Sequence, residues 1–234
     1  MIKDQFKNKI MNFQLKFKVN DKLYLKDPEK SEIGKSILKH AIELIFDIGF
    51  EHFTFKKLAV KINSTEATIY RYFSSKYKLL TYILNWYWSY LELMCELKTS
   101  EIKIPLEKLK KILEIITHYN NSCDEVDDYN IGKLHSIGIS ESSKSYLVKE
   151  ADEISKEMIF GPLESLCQCV SDIISEAKPD FAYPVSMAST LLETAHNQHF
   201  FSEHLPKLTD NHHKEENKKY VLGYLTHITF NLIK

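Results

Sequence analysis

The chain has 234 residues, 44% hydrophobic and 27% charged, enough apolar surface to exclude disorder of the whole. Its 6 glycines and 6 prolines are few for this length, which favours helices over a sandwich or barrel. The net charge of −1 hides two opposite parts: residues 1–90 hold 16 Lys+Arg against 9 Asp+Glu, and residues 91–234 hold 15 against 23. A basic first third on an acidic remainder suggests a polyanion-binding head on a body with another task.

No apolar run reaches about 18 residues, so no membrane span is expected. The basic N-terminus has no apolar stretch or cleavage pattern of a signal peptide. Cys95, Cys123, Cys167 and Cys169 form no C-x-x-C, so neither a zinc nor a disulfide framework is expected, and a cytoplasmic setting is.

In chain order, residues 13–25 alternate apolar and polar around Asn20-Asp21. A short β-hairpin, an extended arm packed on the first helix and a disordered tail all fit this pattern. Asp27-Pro28-Glu29 has the chemistry of a helix start, and Ile33, Ile37, Ala41, Ile45 and Ile48 then recur at helical spacing. Gly49 suits the end of that helix. Thr54 can cap a short second helix with Leu58, Ala59 and Ile62 inward. Asn63-Ser64 breaks it, and Thr65 can cap a short third helix with Ile69 and Phe73 inward. A long fourth helix is expected from about Lys76 to Leu97.

Two short helices joined by a tight turn behind a longer one form a helix-turn-helix plan. The third helix would expose Glu66, Ala67, Thr68, Tyr70 and Arg71 to the major groove, small residues permitting close approach. Arg71 is the only arginine of the chain, and arginine suits bidentate contact with guanine.

From Gly49-Phe50 through Thr54, Leu58-Ala59, Thr65 and the run Thr68-Ile69-Tyr70-Arg71-Tyr72-Phe73 to Ser75-Lys76 and Leu79-Leu80, the sequence resembles the DNA-binding domain of TetR-type transcriptional regulators. The resemblance covers about residues 31–80. It implies backbone contacts from Thr54 and Lys56 and a capping role for Thr65. It implies phosphate or base contacts from Thr68, Tyr70 and Arg71, and further phosphate contacts from Tyr72 and Lys76. Glu66 departs from the family, standing where a basic residue is common. Ser64 and Asn63 depart too, standing for an apolar residue and a glycine. The resemblance also implies that the last two helices form a homodimer interface and that the body holds a small-molecule effector.

Beyond residue 80 the pattern is helical. Trp86 and Tyr90 belong to an aromatic stretch that either lines a cavity or packs as core. After Pro105, Leu106, Leu109, Ile112, Leu113 and Ile116 are expected inward. Residues 121–130 read as an acidic loop without calcium-binding spacing. Helices are expected over 140–160, 163–176, 185–204 and 214–233. His196, His199, Glu203 and His204 share a helix region, where a solvated or pocket-lining patch is a better reading than a metal site. His118, Tyr119 and His196, with Trp86 and Tyr90, are the candidate effector contacts.

No P-loop, G-x-S-x-G or G-x-G-x-x-G occurs, so no enzyme, metal or cofactor is expected. The reading is an all-α protein of about nine helices: an arm at 1–27, a DNA-binding domain at 28–80 and a ligand-binding and dimerisation domain at 81–234. Its partners would be double-stranded DNA on a near-palindromic site, a second copy and an effector, with no membrane. A dimeric small-molecule-binding protein with a degenerate head is the alternative.

Overall fold

The computed structural model describes residues 17–118, 125–126, 128–146, 159–211 and 214–233. Among these, the α-helices are α1 Glu32–His52, α2 Phe55–Lys61, α3 Glu66–Tyr70, α4 Lys76–Thr99, α5 Pro105–Ile116, α6 Ile131–Glu141, α7 Ser143–Tyr146, α8 Gly161–Ala177, α9 Pro184–His204 and α10 Asn217–Leu232. One antiparallel pair of two-residue strands, β1 Glu125–Val126 and β2 Tyr129–Asn130, sets Val126 opposite Tyr129. It occupies the segment expected to be loop. The fold is all-α, as its composition suggests.

The chain forms two compact units, Met1–Tyr87 with Ser122–Ile159, and Trp88–Asn121 with Phe160–Lys234. This division differs from a simple boundary at residue 80. The helices α6 and α7 belong with the helix-turn-helix elements, not with the remainder of the body.

In the first unit, Ser31 caps α1: its hydroxyl accepts from the Gly34 amide at 3.2 Å. Asp27 and Pro28 start a separate 3₁₀ turn at Pro28–Lys30, which corrects the expected helix start. That turn lies close against Gly34. Ile37, Leu38, Ala41, Ile42 and Ile45 form the buried stripe of α1. Burying each of the larger ones stabilises by about 2 kcal/mol. At Gly49 the backbone leaves helical geometry with φ 73° and ψ 155°, a region open to glycine, and the last turn restarts at Phe50.

The residues before α1 do not form a hairpin: none of residues 17–25 is strand. Asn20 instead caps a 3₁₀ turn at Asp21–Leu23. This segment packs on α4 rather than on α1. Phe17 meets Trp86 edge-on at 5.2 Å, Tyr24 meets Tyr82 at 5.9 Å, and Lys78 donates to the Lys22 carbonyl at 2.8 Å. The Leu25 amide donates to the Tyr72 carbonyl at 2.7 Å, tying the arm to the end of the helix-turn-helix. The hairpin residues 13–16 lie outside the described residues.

The helix expected over 140–160 begins earlier, at Ile131, where Asn130 caps it by accepting from the Lys133 amide. It ends at Glu141, and residues 147–158 lie outside the described residues. Tyr87 and His135 hydrogen-bond at 2.7 Å, and the Tyr129 hydroxyl donates to Glu29 at 2.9 Å. These bonds fix β2 and α6 within the first unit.

In the second unit, α5, α8, α9 and α10 share a core of Leu109, Ile112, Leu113, Ile116, Leu166, Val170, Ile174, Leu191, Ala195, Val221 and Leu225. Leu106, expected inward, is 40% exposed because it lies in the first turn of α5, before the buried stripe begins. Lys108 on α5 pairs with Glu176 on α8 at 2.8 Å.

Candidate nucleic-acid interface

The short α2 and α3 are built by caps. The Thr54 hydroxyl accepts from the Lys57 amide, and the Thr65 hydroxyl from the Thr68 amide, each at 3.2 Å. Without such caps, helices of seven and five residues would lack partners for much of their first turns. Between them Asn63 takes φ 50°, the left-handed conformation that asparagine tolerates where glycine is usual. The Ser64 amide donates to the Ala59 carbonyl at 2.9 Å and closes the turn. The altered turn residues therefore still make a tight turn.

Ile69 and Phe73 are fully buried, as their expected core roles require. They hold α3 with its other face outward. Thr65, Glu66, Ala67, Tyr70 and Arg71 are exposed, and Thr68 is half-buried. Thr65 and Thr68 share a hydroxyl contact at 3.1 Å, and Arg71 donates to the Thr68 hydroxyl at 3.4 Å. One hydrogen-bonded row thus runs from the start of α3 to its end. The Tyr70 ring packs edge-on against Phe55 at 4.9 Å while half its surface stays open. This contact orients the ring. Glu66 sits in the first turn of α3, where the helix dipole favours a carboxylate, so its departure from a basic residue has a local physical reason.

Thr54 and Lys56 are exposed on α2. Lys57, not singled out by sequence, donates to the His52 carbonyl at 2.9 Å and closes the end of α1. Lys61 lies 3.3 Å from Glu43 and 3.8 Å from Asp47, so this cation is matched within the unit.

Two further candidate backbone contacts are engaged within the protein. Tyr72 is only 2% exposed, and its hydroxyl is 2.8 Å from that of Ser31, the cap of α1. Its ring is covered by Lys26 at 5.2 Å. The chain turns at the end of α3, so Tyr72 follows Ile69 inward instead of joining Tyr70 outward. The Lys76 ammonium donates to the carbonyls of Phe50, Glu51 and Phe53 at 3.1, 3.4 and 3.3 Å and lies 4.6 Å from the Phe50 ring. It is a lysine closing a helix C-terminus, where a cation offsets the dipole.

The candidate effector contacts fall in both units. Trp86 belongs to the first unit, between Phe17 and Tyr129, beside a small apolar crevice lined by Leu38, Ile42, Tyr82, Ile83 and Leu134. Tyr90, His118 and His196 belong to the second unit and are buried. Tyr119 lies outside the described residues. His196 and His199 are not a solvated patch: they are 8% and 3% exposed on α9. Burial holds both at about 4, well below the ordinary histidine value, so both are neutral near pH 7. His199 Nε2 meets the Thr117 carbonyl at 3.2 Å. Among the described residues no three His, Cys, Asp or Glu side chains gather as metal ligands.

A capped two-helix turn that presents one helix face over a buried anchor defines a helix-turn-helix protein. Residues 37–83 match the family model for bacterial regulatory proteins of the tetR family. A search of curated protein sequences finds no match. Among solved structures, AibR in complex with isovaleryl coenzyme A and operator DNA is 19% identical, covering 82% of this chain and 97% of its own, with a TM-score of 0.57. The TetR-family regulator PfmR from Thermus thermophilus is 15% identical over 85% of this chain and 98% of its own, at 0.56. The superantigen PfiT is 16% identical over 89% and 99%, at 0.57. At these identities the likeness is one of fold. Among the described residues no helix is long and apolar enough to cross a membrane.

Proposed function

We propose that this protein is a sequence-specific, DNA-binding transcriptional regulator, acting as a homodimeric repressor that releases DNA when a small effector binds its helical body. The observation that carries this reading is the exposed face of α3. Thr65, Glu66, Ala67, Thr68, Tyr70 and Arg71 are held outward by the buried Ile69 and Phe73, inside the region that matches the family. In this reading Arg71, oriented by Thr68, and Tyr70 contact base edges, while Thr54, Lys56 and the start of α3 hold phosphates. Tyr72 and Lys76 act from beneath, by fixing α1 and the loop that follows it.

Exposed apolar side chains on the last two helices support pairing with a second copy. These are Val185 on α9 and Tyr224 and Leu232 on α10, at 52%, 37% and 60% exposure. A dimer would read a near-palindromic site with half-sites about 34 Å apart. An effector changes DNA affinity only through its different affinity for the two states. The role is regulatory rather than catalytic, in the cytoplasm.

The test is selection of bound duplexes from a random-sequence pool, with wild type beside Tyr70→Ala/Arg71→Ala. Wild type is expected to enrich a near-palindromic motif. The double variant should bind it roughly a hundredfold more weakly, since each good base contact is worth about 1–3 kcal/mol. Enrichment of no motif by wild type would favour a degenerate head on a ligand-binding protein.

A further inference from the structure

The backbone leaves helical geometry at Gly49, just before the amide of Phe50, and Phe50 is 1% exposed. A buried amide must be paired. Its partner comes from far along the chain: Glu141, the last residue of α6, accepts from Phe50 N through Oε1 at 3.3 Å. Glu141 is itself 5% exposed. Its other oxygen pairs with Lys144 on α7 at 2.8 Å, and Lys144 reaches Glu51 at 3.1 Å. Burial alone would lower the Lys144 pKa, but its hydrogen bonds to Glu141 and Glu51 outweigh this and raise it. The Lys144 hydrogen bond in turn lowers the Glu51 pKa.

The same short segment is held from its other side by Lys76, which binds the carbonyls of Phe50, Glu51 and Phe53. Thr54, the cap of α2, follows directly. Where Phe50 to Phe53 lie therefore sets where α2 starts, and α2 carries the turn into α3. We propose that Glu141 is a positioning residue for DNA reading, latching the kinked end of α1 so that α2 and α3 present one fixed face. The inference rests on the DNA-binding reading above. Glu141 touches no DNA; it acts through the Phe50 backbone. A hydrogen bond from a buried amide to a carboxylate is among the stronger kinds, and its loss strands the amide. A site held a fraction of an ångström too loosely loses binding without unfolding.

The experiment uses the full chain and the duplex that wild type enriches from a random pool. Glu141→Ala is expected to bind it about tenfold more weakly at full folded fraction. Without DNA, its Phe50 amide should exchange with solvent at least about tenfold faster than in wild type. Glu141→Gln keeps an acceptor oxygen at Phe50 and drops the ion pair, and should stay within about threefold of wild type in both readouts. If Glu141→Ala loses its helical signal, Glu141→Asp, shorter by one methylene, takes its place with the same expectations. An unchanged exchange rate at Phe50 would overturn the latch alone. Unchanged DNA affinity with faster exchange would overturn the positioning role. So would affinity that falls only in step with the folded fraction. Failure of wild type to enrich any duplex would instead take down the DNA-binding reading beneath it.

Discussion

The two compact units differ in how many buried polar atoms lack a hydrogen-bond partner: among the described residues Asn85 Oδ1 and Glu141 Oε2 do in the first, the latter lying 2.8 Å from the Lys144 ammonium, and more do in the second. In the first, buried and half-buried groups also meet across long stretches of chain: Ser31 with Tyr72, Glu29 with Tyr129, Tyr87 with His135, and Phe50 with Glu141. In the second, α9 and α10 bury His196, Ser202, Asn217 and Thr229. Among the described residues, His196 Nδ1, Ser202 Oγ, Asn217 Oδ1 and Thr229 Oγ1 find no hydrogen-bond partner. Paired polar groups between elements specify one geometry, as a rigid reading face requires. Unpaired ones cost stability without fixing a geometry, and the second unit carries more of them among the described residues.

The contrast can be broken most forcefully with acid. His196 and His199 are held at about 4 by burial, against an ordinary value of 6.5. Unfolded, they take up protons more readily. The stability tied to their neutral form is therefore complete above about pH 6.5 and lost as pH falls toward about 4. It amounts to up to about 3 kcal/mol for each. Urea midpoints at about pH 7 and about pH 4.5 should differ strongly in wild type and much less in His196→Asn/His199→Asn. An equal acid loss in both would remove histidine burial as the weak point of the second unit.

In the first unit, the largest steric effect belongs to Gly34. A Cβ there would lie 2.3 Å from the Pro28 carbonyl oxygen and 2.6 Å from its Cα, both backbone atoms. Gly34→Ala should cost about 3 kcal/mol by thermal unfolding, because the 3₁₀ turn against α1 must move. A near-neutral result would show that the seat of this turn is looser than its pairing suggests. The smallest effect sharpens the comparison from the other side. Thr229→Val replaces an unpartnered buried hydroxyl with a methyl group and should raise stability by about 1 kcal/mol. A loss of that size would mean that the hydroxyl is satisfied and the contrast between units is weaker.

What was legible in the sequence follows the reach of each signal. The caps Thr54 and Thr65 and the inward Ile69 and Phe73 rest on neighbours within four residues, and they stand where expected. Asp27 and Ser31 are both good caps, four residues apart, and which one starts α1 depends on packing against Gly34. Alternation over 13–25 suggested strands, yet Asn20 bonds to its own backbone two residues on and makes a 3₁₀ turn. Tyr72 is expected as a backbone contact from the family resemblance. Its burial depends on Ser31, which local pattern cannot supply. The Glu141 latch spans 91 residues and has no local signature at all. The histidines of α9 read as polar residues, but helical spacing alone does not say that both turn inward.

The most direct check of the central claim is amide exchange of wild type with and without the enriched duplex. The account predicts slowed exchange over residues 54–57 and 65–71 on binding, with α5 unchanged. Protection confined to α5 or α8, with residues 65–71 exchanging as in the free protein, would contradict it.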